Sequence, residues 1–442
     1  MDYDVGIIGA GPAGLFAAYE LAGSGLKTIV IDKGKEPCKR NSRLCGVGGA
    51  GAFSDGKLNL TPKIGGDASS FKRTDSEIEK RIKKIDSLFT ESGLDEGYSG
   101  LDIKNIEKLR KISGKHGVEF VAGKQRHIGT DKLPGIMNNI YMKIKNKGIV
   151  FRLNTKVLDI KRKGKKFILN SDKGKFIVKY LIAAPGRAGA YWLRKKSEEL
   201  NVKYNYGPID VGVRLEFPAG LYENIKNIMY DAKFRLYTKT YNDLVRTFCT
   251  NPNGFISVEK YDSFILVNGH ASKKSKSKNT NLALLSRVVL TDPVEDTTRY
   301  GRAIVRLANT IGGGKPLLQT LNNLKEGRRS TWKRLSDNQV SPTLKNATPG
   351  DISMALPERI VINLVEAIEQ LDYIIPGINS GSTLVYAPEV KFYDTRYNVT
   401  KGMETNVSNF YVAGDASGHS RGIVFSAVTG MIAAEDIKKK SC

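Results

Sequence analysis

Cysteine, histidine, tryptophan and acid are all scarce in this chain of 442 residues. Its four cysteines, Cys38, Cys45, Cys249 and Cys442, form no C-x-x-C pair. That excludes a disulfide scaffold and argues against cysteine-ligated zinc or an iron–sulfur cluster, so no metal site is expected. No apolar run approaches the roughly 20 residues of a membrane span, and the N-terminus lacks the basic segment, apolar run and small-residue cleavage site of a secretory signal. A reducing, cytoplasmic setting is the expectation. Acids number 45 against 70 Lys and Arg, a formal charge of +25. This excess suits an acidic partner such as RNA, a diphosphate lipid or an anionic membrane surface. Against RNA, lysine is spread along the whole chain and no RRM or helix-turn-helix signature is present. Glycine is abundant: 45 residues, about 10% against a usual ~7%, which hints at sites built from backbone.

The glycines begin early. Asp4-Val5-Gly6-Ile7-Ile8 is a short apolar run, followed by Gly9-Ala10-Gly11-Pro12-Ala13-Gly14 and then Leu15, Ala18, Leu21 and Ala22 at helical spacing. This reads as strand, glycine turn, helix. A second run, Lys27 to Ile31, ends in Asp32, 18 residues after Gly14, with Lys33 next. Gly9 allows a tight turn, Gly11 lets backbone N–H groups approach a pyrophosphate at the helix start formed by Pro12 and Ala13, and Gly14 permits close helix–strand packing. Asp32 accepts from ribose hydroxyls and disfavours a phosphorylated ribose. FAD and NAD both satisfy these residues.

Near the other end, Thr405 to Tyr411-Val412-Ala413-Gly414-Asp415 sets a threonine, a short strand and a Gly-Asp ten residues on. This segment resembles the second FAD fingerprint of flavoproteins of the glutathione-reductase type, which implies that Asp415 binds the ribityl chain. Leu181 to Ala184-Pro185-Gly186-Arg187 resembles the strand-and-glycine segment that crosses near the adenine side in the same group, with Pro185 in place of the usual Thr. The glycine-rich run from Arg40 to Leu58, which includes Cys45 and Gly49, and the closing run Gly414 to Val424 closely resemble a family of FAD-dependent dehydrogenases, often described as NAD(P)/FAD-dependent oxidoreductases. The similarity runs along nearly the whole chain and includes Arg246-Thr247-Phe248-Cys249, Gly312-Gly313-Gly314 and His127-Ile128-Gly129-Thr130. Because the nucleotide strand starts at residue 4, the extra N-terminal domain of some members is not expected.

The resemblance implies an α/β fold: a discontinuous Rossmann-like FAD-binding domain over 1–200 and 380–442, with a helical excursion at 70–115, and an inserted α+β substrate domain over 201–379. The residue pattern agrees. Ile78, Ile82, Ile85, Leu88 and Phe89 form one helical stripe. Residues 149–182 read as β-hairpins, with turns at Lys163-Gly164-Lys165 and Lys173-Gly174-Lys175. Residues 205–270 alternate apolar and polar positions, as a sheet does. Helices are expected over 298–312, 316–327 and 356–371, the last opened by Pro357. Residues 271–280 form a basic loop.

FAD supplies redox chemistry, so the expected function is hydride transfer between flavin N5 and an unsaturated or oxidisable carbon centre of a small or lipid-like substrate. Alternatives are an RNA-modifying or RNA-binding flavoprotein and a non-catalytic or electron-relay flavoprotein. Cofactor contacts are expected from Gly9, Gly11, Pro12, Ala13, Gly14, Asp32, Lys33, Gly49, Ala184, Gly186, Gly414, Asp415, Gly422 and Ile423. Arg421 and His419 are the catalytic candidates at the start of the last helix, where negative charge develops on the reduced flavin. Cys45 is a third, as nucleophile or as partner of Cys38 in a reducible disulfide. His127 and His270 are proton-donor candidates. The triple glycine at 312–314 lacks the spacing and following acid of a second nucleotide unit, so NAD(P)H is expected only as a transient donor, with ferredoxin or another flavoprotein as alternatives.

Overall fold

The computed structural model describes residues 2–40, 44–54, 56–95, 97–261, 263–292, 295–392 and 395–441. Cys442 and, within the glycine-rich run, Asn41, Ser42, Arg43 and Asp55 lie outside the described residues. The chain divides into two compact units. One comprises residues 1–97, 126–205 and 395–442, and the other residues 98–125 and 206–394.

The first unit is built on a mostly parallel sheet. Asp2–Ile8 pairs in parallel with Thr28–Ile31 on one side and Gly174–Ala183 on the other, and Phe410–Val412 runs parallel to the end of Gly174–Ala183. The strands are apolar on both faces because helices or further structure cover both. One core cluster gathers Val5, Ile7 and Val30 with Phe16, Phe89, Tyr141 and the last helix, and another gathers Ile29, Ile31, Leu181 and Leu193. The stripe read from Ile78 to Phe89 is the buried face of helix Asp75–Glu91, whose start is a Thr74/Glu77 capping box. Between Val157–Lys163, Lys166–Ser171 and Gly174–Ala183 run two antiparallel hairpins, with turns where the Lys-Gly-Lys triplets lie.

The second unit carries an eight-stranded sheet. Its central strand, Ile209–Pro218, is antiparallel to Leu384–Lys391 and to Asn279–Val288. Helices Thr297–Ile311 and Glu358–Asp372 cover one face: Gly301 abuts Ile209 and Val390, and Asn363 Nδ2 donates to Ser286 Oγ. Hairpin Phe255–Lys260 with Ile265–His270 lies on the other, where Gly269 abuts Arg214 and Asn281.

Three expectations need correction. Residues 98–125 belong with the second unit, because Val118–Val121 supplies an edge strand that pairs with Lys233–Tyr237. The second unit also runs to 394, because Leu384–Lys391 is central to its sheet. Finally, a helix over 316–327 is wrong in its first half: Leu317–Thr320 is a fully buried strand, and only Leu321–Lys325 is helical. Burial on both sides hides a strand from periodicity.

Candidate functional site

Three neighbouring strands of the first unit end at one level, since Ile8 and Val412 both align with Ala183. Each is followed by a turn and a helix, starting at Pro12, Gly186 and Gly422. Helix starts carry N–H groups without intrahelical partners and the positive end of the dipole, and here they gather at the carboxyl edge of a parallel sheet.

The glycines at this edge fall into two kinds. A Cβ on Gly9, whose φ is +99°, would stand 2.2 Å from the Ala184 carbonyl oxygen, and one on Gly14 would stand 1.9 Å from the Gly9 carbonyl oxygen. Packing forbids a side chain at either. A Cβ on Gly186 or Gly422 would meet nothing within 4 Å, and one on Gly11 would have only the Gly49 Cα, at 3.8 Å. These three leave an open backbone cradle of the kind a dinucleotide fills.

Acids flank the cradle. Asp32 ends the strand Thr28–Ile31; its Oδ2 accepts from Ala10 N at 2.8 Å and its Oδ1 from Gly34 N at 2.7 Å, so the carboxylate is fixed against the glycine turn. Lys33 beside it is exposed. Asp415 Oδ1 accepts from Ser426 Oγ at 2.8 Å, and Arg187 Nε lies 3.8 Å from its Oδ2. Gly414, at φ +73°, donates its N–H to Thr429 Oγ1 and would press a Cβ to 3.0 Å from that of Ala13. These residues fit FAD: open N–H groups for the pyrophosphate, and one half-buried carboxylate for each of two polyhydroxyl segments.

The glycine-rich run closes onto the same place. Gly48 N donates to Ala10 O, Gly49 lies on Gly11, and a Cβ on Gly51 would stand 3.0 Å from Pro12 and 3.2 Å from Ile423. Arg40 holds this loop: its Nη1 donates to Val47 O and Gly49 O, and its guanidinium lies 4.7 Å from the Phe53 ring centre. Burial brings the Arg40 pKa down to about 10, against the opposing pull of Asp32 and Cys45. Residues 65 and 66 also reach the site, where Gly65 O accepts from Arg421 N and Gly66 leaves room for the Phe425 ring. Sequence reasoning passed over Arg40, Gly65 and Gly66. Only the paired glycines offered a signal.

The catalytic candidates fare differently. His419 is buried; its Nε2–H donates to Tyr397 O at 2.8 Å, its Nδ1 lies 2.8 Å from Ser70 Oγ, and the Phe71 ring stands edge-on to it. Desolvation lowers its pKa to about 4. At neutral pH the His419 ring is therefore neutral and ties two loops together. Arg421 Nη1 donates to Asp415 O and Ser420 O, which turns that guanidinium back onto its own loop. Cys38, Cys45 and Cys249 are thiols, so of the two alternatives for Cys45 the structure does not form the disulfide with Cys38. His127 ends a strand of the first unit, and His270 stacks on Phe255 in the second. Among the described residues no cluster of His, Cys, Asp and Glu is arranged to hold a metal ion, and no helix is long and apolar enough to cross a membrane.

Comparison with known proteins adds two family matches. Residues 4–98 match the model of the FAD dependent oxidoreductases, and residues 208–392 match that of the FAD-dependent protein, C-terminal domain-like. An uncharacterised protein of Clostridium beijerinckii is 27% identical, covering 98% of this chain and 80% of its own length. One of Methanosarcina barkeri is 26% identical over 65% of this chain and 58% of its own. Among solved structures, L-proline dehydrogenase from P. horikoshii (13% identity, 99% and 94% covered, TM-score 0.46) and glycine oxidase from Geobacillus kaustophilus (13%, 99% and 95%, 0.41) are similar. With a nucleotide-binding segment and a C-terminal segment both of FAD-dependent type, this chain is an FAD-dependent oxidoreductase.

Proposed function

We propose that the chain transfers hydride between flavin N5 and an unsaturated or oxidisable carbon centre of an organic substrate. The observation that carries this reading is the open glycine cradle at three aligned strand ends, bounded by the fixed carboxylates of Asp32 and Asp415. Bound FAD supplies the two-electron chemistry. The protein's own residues bind and orient. Gly11, Gly186 and Gly422 present backbone N–H groups and helix starts to the pyrophosphate and to charge that develops on reduction. Asp32 and Asp415 accept from ribose and ribityl hydroxyls. Arg40 and Arg421 hold the two loops that line the cradle, and Arg421 thus acts as a positioning residue.

An absorbance spectrum of freshly purified protein from 240 to 700 nm, repeated after anaerobic addition of NADH or NADPH, tests this. Flavin bands that bleach identify a pyridine nucleotide as donor, and bands that persist until ferredoxin is added identify that donor instead. Absence of flavin overturns the reading. A 260 nm excess beyond FAD and protein would bring RNA forward as the partner.

A further inference from the structure

The second unit carries a basic segment that the cofactor chemistry does not use. From Lys325 to Arg334 the chain reads Lys-Glu-Gly-Arg-Arg-Ser-Thr-Trp-Lys-Arg, five cations to one acid. Glu369 takes Lys325, and Glu326 takes Arg328. Arg329, Lys333 and Arg334 are exposed, and among the described residues none of the three pairs with a carboxylate. Their side chains make one polar bond, from Arg334 Nη1 to Arg329 O at 2.7 Å. Between them stands Trp332, 54% exposed. The other tryptophan, Trp192, donates its indole N–H to Leu158 O, whereas among the described residues Trp332 meets no acceptor, ring or cation.

The segment is exposed yet firmly held. The buried Gln319 side chain donates to Arg328 O at 2.8 Å, Arg328 N donates to Asn323 O at 2.8 Å, and Ser330 N donates to Gly350 O at 3.0 Å. Ser330 is 1% exposed, and its Oγ accepts from Thr320 N and Asn323 Nδ2. Beside this loop opens a cleft of about 490 Å³ lined by Arg328, Arg334, Asn322, Asn323 and Asn338, with Asp337 as its one acid. Asn338 Nδ2 donates to Val340 O and Ser382 O, which fixes the amide and leaves its Oδ1 for a ligand. A backbone ordered by buried bonds loses little freedom when the cations it projects take up an anion.

The chemistry of the segment selects among anions. A lone phosphate would engage the cations and leave the indole unused. A lipid surface asks for several apolar side chains to insert, yet between Leu307 and Met354 Trp332 is the only large apolar side chain exposed, among the described residues. A single strand of nucleic acid uses all the groups present: phosphates on neighbouring cations, an unpaired base on the indole, and base or sugar groups against the amides of the cleft. We propose that residues 325–338 bind single-stranded nucleic acid, with phosphates on Arg328, Arg329, Lys333 and Arg334 and a base stacked on Trp332. This site does not depend on bound flavin.

Fluorescence anisotropy of a labelled oligouridylate of about 12 nucleotides, titrated with the full-length protein over a range of salt concentrations, tests it, beside duplex RNA of equal length and phosphatidylserine vesicles. The single strand is expected to bind most tightly and to quench tryptophan emission, a quench that Trp332→Phe removes because only Trp192 remains. Arg328→Gln/Arg334→Gln is expected to weaken binding about tenfold or more and to flatten the slope of log K against log salt by about 1.4. Arg329→Gln/Lys333→Gln, whose side chains hold nothing in the fold, is a second variant with the same expectation. Trp332→Ala is expected to weaken binding about fivefold or more. Lys274→Gln/Lys276→Gln removes equal charge from another exposed loop and is expected to change affinity by no more than about twofold. No binding of the strand, equal or tighter binding of the duplex, or binding of vesicles without the strand overturns the site. So does a quench that persists in Trp332→Phe, or equal losses from the 274/276 and 329/333 variants.

Discussion

Asp32 and His419 are both polar residues at turns, yet removing each has a different consequence. The Asp32 carboxylate bridges Ala10 N and Gly34 N, so it is already oriented before any ribose arrives. Asp32→Ala is expected to lower flavin content after gel filtration severalfold, read as the ratio of 450 to 280 nm absorbance; an unchanged ratio removes its role. His419 matters for stability instead. Its pKa is about 4 in the fold against 6.5 for a free imidazole. Above pH 6.5 both states are neutral and the group contributes fully; as pH falls from 6.5 to 4 only the unfolded chain takes up the proton, and about 3 kcal/mol is lost. Denaturant midpoints measured at pH 7 and pH 4.5 are expected to fall more steeply for the parent than for His419→Asn. Equal slopes would show that this imidazole titrates normally. The sequence could not show which way the His419 ring turns, because Ser70 and Tyr397 are hundreds of residues or a chain reversal away.

Among elements, the contact between the first helix and the last is the most demanding. A Cβ on Gly430 would lie 2.0 Å from the Ala13 carbonyl oxygen, a backbone atom that cannot swing aside. Gly430→Ala is expected to destabilise by about 3 kcal/mol, the upper end of overpacking, and to release flavin at lower temperature, because Ala13 lies at the start of the helix that borders the cradle. Gly422→Ala offers the contrast. Its Cβ meets open space, so the cost is that of φ +81° alone, about 1 kcal/mol. Differential scanning fluorimetry of the two variants, with flavin fluorescence as a second channel, separates them; equal shifts would refute the packing argument. The glycine turn after the first strand was legible because strand, Gly-x-Gly-x-x-Gly and helix occur within a few residues. Gly430 was not, since one glycine in a helix buried nearly all round carries no periodic signal.

For the whole molecule, the charge of +25 sets solubility and retention on charged surfaces more than it sets the fold. Its lysines are dispersed, with short exposed basic runs such as 161–166 and 273–276. Binding to a polyanion such as heparin is therefore expected to fall steeply between 50 and 500 mM salt while flavin content stays constant. Flavin loss in step with salt would place the basic surface at the cofactor instead.

Local chemistry determined what the sequence alone revealed. Strand, turn and helix in the first 32 residues, the Gly-Asp strand near the end, the stripe over 78–89 and the hairpins over 157–183 all depend on residues close together along the chain. Tertiary structure decided what depends on distant segments meeting. It assigned the edge strand Val118–Val121 to the second unit, turned Leu317–Thr320 into a strand, engaged both nitrogens of His419 and gathered Lys233, Arg246 and Lys391 around Phe248. Pairing across a sheet and the burial of charge are properties of the folded neighbourhood, and no window of sequence contains them.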